Sequence, residues 1–331
     1  MFASTWPGSL QDASYYIASE NPLEEIWAHI ARTATNTELA KLNPEKQPAD
    51  WDSHRAYLQV RLTQALEFRR AAHTSTLLTA PLPLYYSFLN LMRAYIALRQ
   101  EVKPGKHHGL KFHAAPSLFE SEASLTEGTF TDYLGYAGIA WKKGERISLR
   151  DALGCVIELW RDVTTIDPTM CHVQRIEVSA YIGREFSLRF HDHPGTLSES
   201  WRADFPTLVA SCHDPDGFRL VVKEEACGKA RNDVAQFLAK HLDYSLPFLG
   251  APIWWAVRKS EPSLTLDRIG YYHVAAYILG NAVRYEPELM SEASRPESSD
   301  GWLIRRFLER AERYYPQLQL IYAGGGRQMY F

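Results

Sequence analysis

Residues 82–100 read LPLYYSFLNLMRAYIALRQ, and no other stretch restricts the fold as strongly. Pro81 and Pro83 set a helix start, and the helix that follows is apolar almost all round. A helix with no polar face cannot lie on a surface; it needs neighbours on every side. The apolar run within it (84–98) is too short for a membrane span and carries Arg93. The expectation is therefore a helix at the centre of a water-soluble bundle.

Other segments offer the required neighbours. In DSHRAYLQVRLTQALEFRRAAHTS (52–75), Tyr57, Leu58, Leu62, Ala65, Leu66 and Phe68 recur at three- and four-residue steps, which predicts one long amphipathic helix. Asn21-Pro22 opens an earlier helix, with Glu24 and Glu25 in its first turn. Ser148 with Asp151 predicts a capped helix over 148–163. Further helices are predicted over 232–243, 263–286 (ending before Pro287) and 300–318. Helices 52–75, 82–100, 232–243 and 263–286 carry the most apolar faces and are expected to form the central bundle. Residues 103–146, rich in Gly, Pro, Ser and Lys, read as an irregular connection.

The pattern changes after Pro168. VQRIEVSAYI and EFSLRF alternate apolar and polar residues, and TLVASCHDPDGFRLVVKEE reads as two strands about an Asp-Pro-Asp-Gly turn. The fold class is thus mainly α with a small antiparallel β insertion (α+β). The expected organisation is an N-terminal helical region (1–165), a β region (172–225), and a C-terminal helical region (230–331) packing on the first. A chain of 331 residues has room for this.

Composition excludes several classes. A net charge of −3 argues against a chain coated in basic surface for nucleic acid, while leaving room for a local basic patch. The start, MFASTWPGSLQDASYY, lacks the basic and apolar regions of a secretory signal. Cys155, Cys171, Cys212 and Cys227 form no C-x-x-C, so reduced thiols and a cytoplasmic location are expected. No P-loop, nucleophile elbow or kinase set occurs, and no cofactor is implied.

Three blocks carry a family resemblance: QALEFRRAAHTSTLLTAPLPLYYSFLNLMRAYIAL (64–98), the HHGLKF that follows, and YILGNAVRYEPELM (277–290). Together they resemble the YaaC-like family of bacterial proteins. These are packing motifs and imply a fold, not a reaction. The helical pairs also resemble the HEPN superfamily, antiparallel four-helix units of bacterial conflict systems. That resemblance implies an Arg–His pair for metal-independent RNA cleavage, and RIGYYH supplies Arg268 and His273 at a fitting spacing. An imidazole would move the proton and a guanidinium would steady the developing charge. Arg184 and His191 match the spacing too, so only location, on a helix within a helical region, singles out Arg268 and His273. The alternative is a helix-start arginine and a core histidine, and exposure of His273 decides between them.

The stretch PGKHHGLKFH (104–113) is basic, and Lys106, His107, His108 and Lys111 are candidate phosphate or RNA contacts beside Gly105 and Gly109. A basic helix exit is the plainer reading. A metal site is disfavoured there: adjacent histidines seldom face one ion, and the lysines repel cations. FHDHPG (190–195), Cys171-His172 and Cys212-His213 fit no standard zinc spacing. Two functions follow as expectations. The first is a bacterial accessory or scaffold protein acting through helical surfaces, with a protein partner or as a homodimer, in a defence complex. The second is a HEPN-type RNA endonuclease using Arg268 and His273.

Overall fold

The computed structural model describes residues 21–35, 37, 39, 50–100, 102–180, 186–190, 205–213, 219–222, 237–238, 242–245, 253–257, 264–295 and 297–323. The chain divides into two compact units. One spans Ile17–Cys171 and Glu261–Met329 in its main parts, and the other spans His172–Ser260. The β-rich unit is thus an insertion in the sequence of the helical one.

The helical unit begins with α1 (Pro22–Thr33), α2 (Trp51–His73) and α3 (Pro81–Gln100). Asn21 and Asp50 cap α1 and α2, each accepting a backbone N–H three residues on. Helix α3 is central, as its uniform apolarity requires: Leu84, Tyr85, Phe88, Leu89, Leu91, Met92 and Ala97 are all buried. Two polar clamps tie it to α2. Ser87 Oγ donates to the Ala65 carbonyl at 2.7 Å, and His54 Nε2 lies 2.8 Å from the Ala97 carbonyl.

Residues 103–146 are not irregular. They form β1 (His108–His113), β2 (Glu122–Gly128), α4 (Thr129–Tyr136) and β3 (Arg146–Ser148), and the strands make an antiparallel sheet in the order β1-β2-β3. The glycines that suggested a loop instead shape the sheet edge. Gly109 (φ 85°) and Gly128 (φ 149°) face each other across a register shift, and a Cβ on Gly128 would lie 2.6 Å from the Gly109 nitrogen. The burial along β2 does not alternate, since Ala123, Ser124 and Leu125 are buried in succession, so no two-residue period marks it.

The predicted helix 148–163 is also corrected. Ser148 does cap it, accepting from the Asp151 N–H at 3.0 Å. The helix then stops as α5 (Leu149–Gly154), passes through extended Val156 and a 3₁₀ turn, and resumes as α6 (Trp160–Ile166). Gly154 and the β-branched pair Val156-Ile157 weaken helical continuity there.

In the β-rich unit, β4 (Val173–Ala180) and β5 (Phe186–Phe190) pair as expected. Residues 206–210 form a short helix, α7 (Pro206–Ala210), where a strand was expected. The sheet adds β6 (Cys212–His213), β7 (Arg219–Val222), β8 (Asp243–Ser245) and β9 (Ile253–Val257), in the order β6-β7-β5-β4-β9-β8. It therefore extends well past residue 225. Its core gathers Ile176, Leu188, Leu220, Trp254 and Ala256 with Phe237 and Leu238. Phe237, Leu238 and Leu242 of the predicted helix 232–243 thus belong to the core of this sheet, and Asp243 opens β8, so that segment does not join the central bundle.

Its place beside α3 is taken by the last helix. The helical unit resumes with α8 (Arg268–Tyr285), α9 (Pro287–Ala293) and α10 (Ser299–Ala323), and both α8 and α10 pack on α3. Helix α8 stops before Pro287, as predicted. Gly280 admits α3 at close range: a Cβ there would lie 3.1 Å from Tyr85 Cβ. Helix α10 continues through Pro316, whose ring nitrogen cannot donate to the Glu312 carbonyl. The Trp27 indole N–H of α1 fills that acceptor at 3.1 Å. Among the described residues, no helix is long and apolar enough to cross a membrane.

Candidate functional site

Arg268 and His273 stand five residues apart on α8, which separates their directions by roughly 140° around the helix. They do not converge. Arg268 is buried and ion-paired to Glu158, whose other oxygen accepts from the Tyr272 hydroxyl at 2.9 Å. His273 is fully buried. Its ring stacks on Phe130, with centroids 5.2 Å apart and planes 5° apart, and meets Tyr85 edge-on. His273 Nδ1 lies 2.9 Å from the Tyr315 hydroxyl, which donates to the Phe88 carbonyl at 3.3 Å. Burial pulls the imidazole down to about 3, with His108 and Arg93 adding to the shift. It is a neutral core side chain at ordinary pH. By the exposure criterion, the pair falls on the structural side.

The basic stretch 104–113 is not a helix exit. Helix α3 ends at Gln100, and His108 opens β1. The turn before β1 presents carbonyls inward. Thr129 Oγ1 donates to the carbonyls of Gly105 (2.9 Å) and His107 (3.0 Å), and Arg93 Nη2 donates to that of Lys106 at 2.7 Å. The Gly105 N–H is taken by Asp132 Oδ2 at 2.9 Å. That polarity is opposite to an N–H cradle for phosphate. Lys106, His107 and Lys111 are exposed, while His108 is half-buried with Nδ1 2.5 Å from the Tyr85 hydroxyl. Burial lowers the His108 pKa, helped by Arg93, His107 and Arg284.

Beside this turn the structure assembles a cluster that the sequence reading missed. Arg61 of α2 reaches toward α3, and its Nη1 donates to Gln64 Oε1 (3.0 Å) and to Asn90 Oδ1 (3.1 Å). Asn90 is itself buried and fixed by donating to the Tyr86 carbonyl. Arg93 lies one turn further along the same face of α3, with Nε donating to Thr129 Oγ1 at 3.1 Å. Both arginines are half-buried, and neither makes an ion pair among the described residues. Arg61 Nε is enclosed without a hydrogen-bond partner. Burial lowers the Arg93 pKa, and the positive charge on Arg61 lowers it further. Arg61 lies 5.0 Å over the Tyr57 ring, with Lys103 Nζ 5.9 Å from the same ring. One signal was visible beforehand: Arg93 is a charge inside an otherwise apolar helical run.

Among the described residues, no three His, Cys, Asp or Glu side chains converge as metal ligands. His191, His193 and Cys227 lie outside the described residues. Cys155 is buried beside Tyr271, and burial raises its pKa, which leaves it an unreactive core thiol. The model of the family described as YaaC-like Protein matches residues 28–322. No curated protein and no solved structure matches the chain.

Proposed function

The chain belongs to the YaaC-like family, and on that premise we propose that it is an accessory binding protein acting through a surface of its helical unit. The contact face is the one formed by α2, α3 and the turn before β1. One observation carries this reading: Arg61 and Arg93 on that face are half-exposed and make no ion pair among the described residues, whereas Arg268 is ion-paired inside the protein. A helical face with anchored cations and tyrosines suits a partner bearing negative charge. The setting we assign is bacterial and cytoplasmic, as a component of a defence or conflict assembly with a protein partner.

The competing function is metal-independent RNA cleavage by a HEPN-like domain, and one assay separates the two. Purified protein is incubated with labelled total RNA in EDTA, beside His273→Ala. The accessory reading expects intact RNA with both proteins. Cleavage by the wild type that disappears with His273→Ala would replace it with the nuclease.

A further inference from the structure

We infer that Arg61 and Arg93 hold a phosphate monoester, presented as a terminal phosphate on the partner or as a nucleotide. The inference rests on reading the α2/α3 face as a contact surface, and it names what that surface recognises.

Placing two like charges in a half-buried site is costly unless something offsets them. The two arginines that are buried outright among the described residues of this unit have an internal offset. Arg69 has Glu24 and Glu312, and Arg268 has Glu158. At Arg61 and Arg93 the described residues supply neutral acceptors only: Gln64, Asn90, Thr129 and the Lys106 carbonyl. These bonds fix where the guanidinium groups sit without cancelling their charge. Donors also remain. Arg61 Nη2 and Arg93 Nη1 make no hydrogen bond among the described residues. Two positive charges with spare N–H groups match a dianion with several acceptor oxygens, which a phosphate monoester is near neutral pH. The singly charged diester of a nucleic-acid backbone would leave one cation unmatched. Tyr57, already beneath the Arg61 guanidinium, gives the site an aromatic wall.

The test is isothermal titration of the full chain with inorganic phosphate, with adenosine monophosphate and with adenosine, at constant ionic strength in chloride. Saturable binding of both phosphate compounds and none of adenosine is expected. Tighter binding of the nucleotide than of phosphate assigns the tyrosine wall to a base; equal binding assigns the site to the phosphate alone. Arg61→Gln should weaken phosphate by about tenfold or more. Arg93→Lys, which keeps the charge but loses the fork, should weaken it less. Lys143→Gln, on an exposed side chain paired with Glu127, should leave it unchanged. Circular dichroism checks that each variant folds, and Arg61→Gln decides alone if Arg93→Lys does not. Absence of saturable phosphate binding overturns the inference, as does equal affinity in a folded Arg61→Gln. Either failure leaves the accessory reading standing, because that reading falls only to RNA cleavage.

Discussion

Arg61 and Arg69 stand about two turns apart on α2, and their surroundings differ in charge. Arg69 donates to Glu312 at 2.7 Å and to Glu24 at 2.5 Å, and its guanidinium lies 5.0 Å over Trp27. Arg61 also lies over an aromatic ring and bonds two amides, but no carboxylate reaches it among the described residues. The same helix thus uses one arginine to close the protein and holds another in place without discharging it. Closure by ion pairing recurs at Arg268 and Glu158, deeper inside. A cation that is positioned but not neutralised is what a binding surface needs and what a core cannot tolerate.

The largest way to break this contrast is to make a paired cation resemble an unpaired one. Glu158→Ala removes the carboxylate that pairs with buried Arg268 and should cost about 3–5 kcal/mol in urea denaturation. A loss below about 1 kcal/mol would mean that water or another group reaches Arg268.

Acid offers a second way, because it forces a new charge inside. The His273 pKa falls from 6.5 in the unfolded chain to about 3 in the folded protein, with burial as the main cause. Its neutral form stabilises the fold fully above the unfolded value. That stability is lost as pH falls from 6.5 toward 3, where the unfolded chain takes up the proton first. Going from about pH 7 to about pH 5, the wild type should lose roughly 2 kcal/mol more than His273→Phe. His108 shifts the same way, and buried Asp267, whose pKa burial raises, shifts in the opposite sense. Only the difference between the two proteins reports on His273, and parallel pH profiles would refute its burial as a neutral base.

The third comparison sharpens the two arginines of α2 directly. Arg69→Gln should cost about 1–2 kcal/mol, since Glu24 is largely exposed and His73, 2.9 Å from Glu312, still faces that carboxylate. Arg61→Gln should fall within about 0.5 kcal/mol of the wild type, or gain slightly by relieving Arg93. Equal losses at both positions would show that Arg61 is structural and end the contrast.

How much of this was legible in the sequence follows from which signals were local. The uniform apolarity of 82–100 announced the central helix, Ser148 announced a cap, and Pro287 announced a stop. The β1–β2–β3 sheet was not legible, because burial along β2 does not alternate and the glycines at its edge look like loop residues. Tertiary packing decided there. Helix 300–318 was read from periodicity, but its role beside α3 was assigned to 232–243, since periodicity shows that a face is apolar and not which face it meets. The Arg61–Arg93 cluster depends on the crossing of α2 and α3, and no spacing rule encodes that. Arg268 and His273 matched a spacing, yet five residues on a helix point two side chains apart.

The proline in α10 has a consequence for when the protein can be completed. Pro316 frees the Glu312 carbonyl, and Trp27 of α1 donates to it; Arg69 joins Glu24 of α1 to the Glu312 side chain as well. These anchors for α1 are made nearly three hundred residues later in the chain, after the whole β-rich insertion. During synthesis α1 must wait, its indole without that acceptor, until α10 has left the ribosome. A nascent chain stalled before residue 312 should keep α1 accessible to protease while α2 and α3, adjacent in sequence, can already pair.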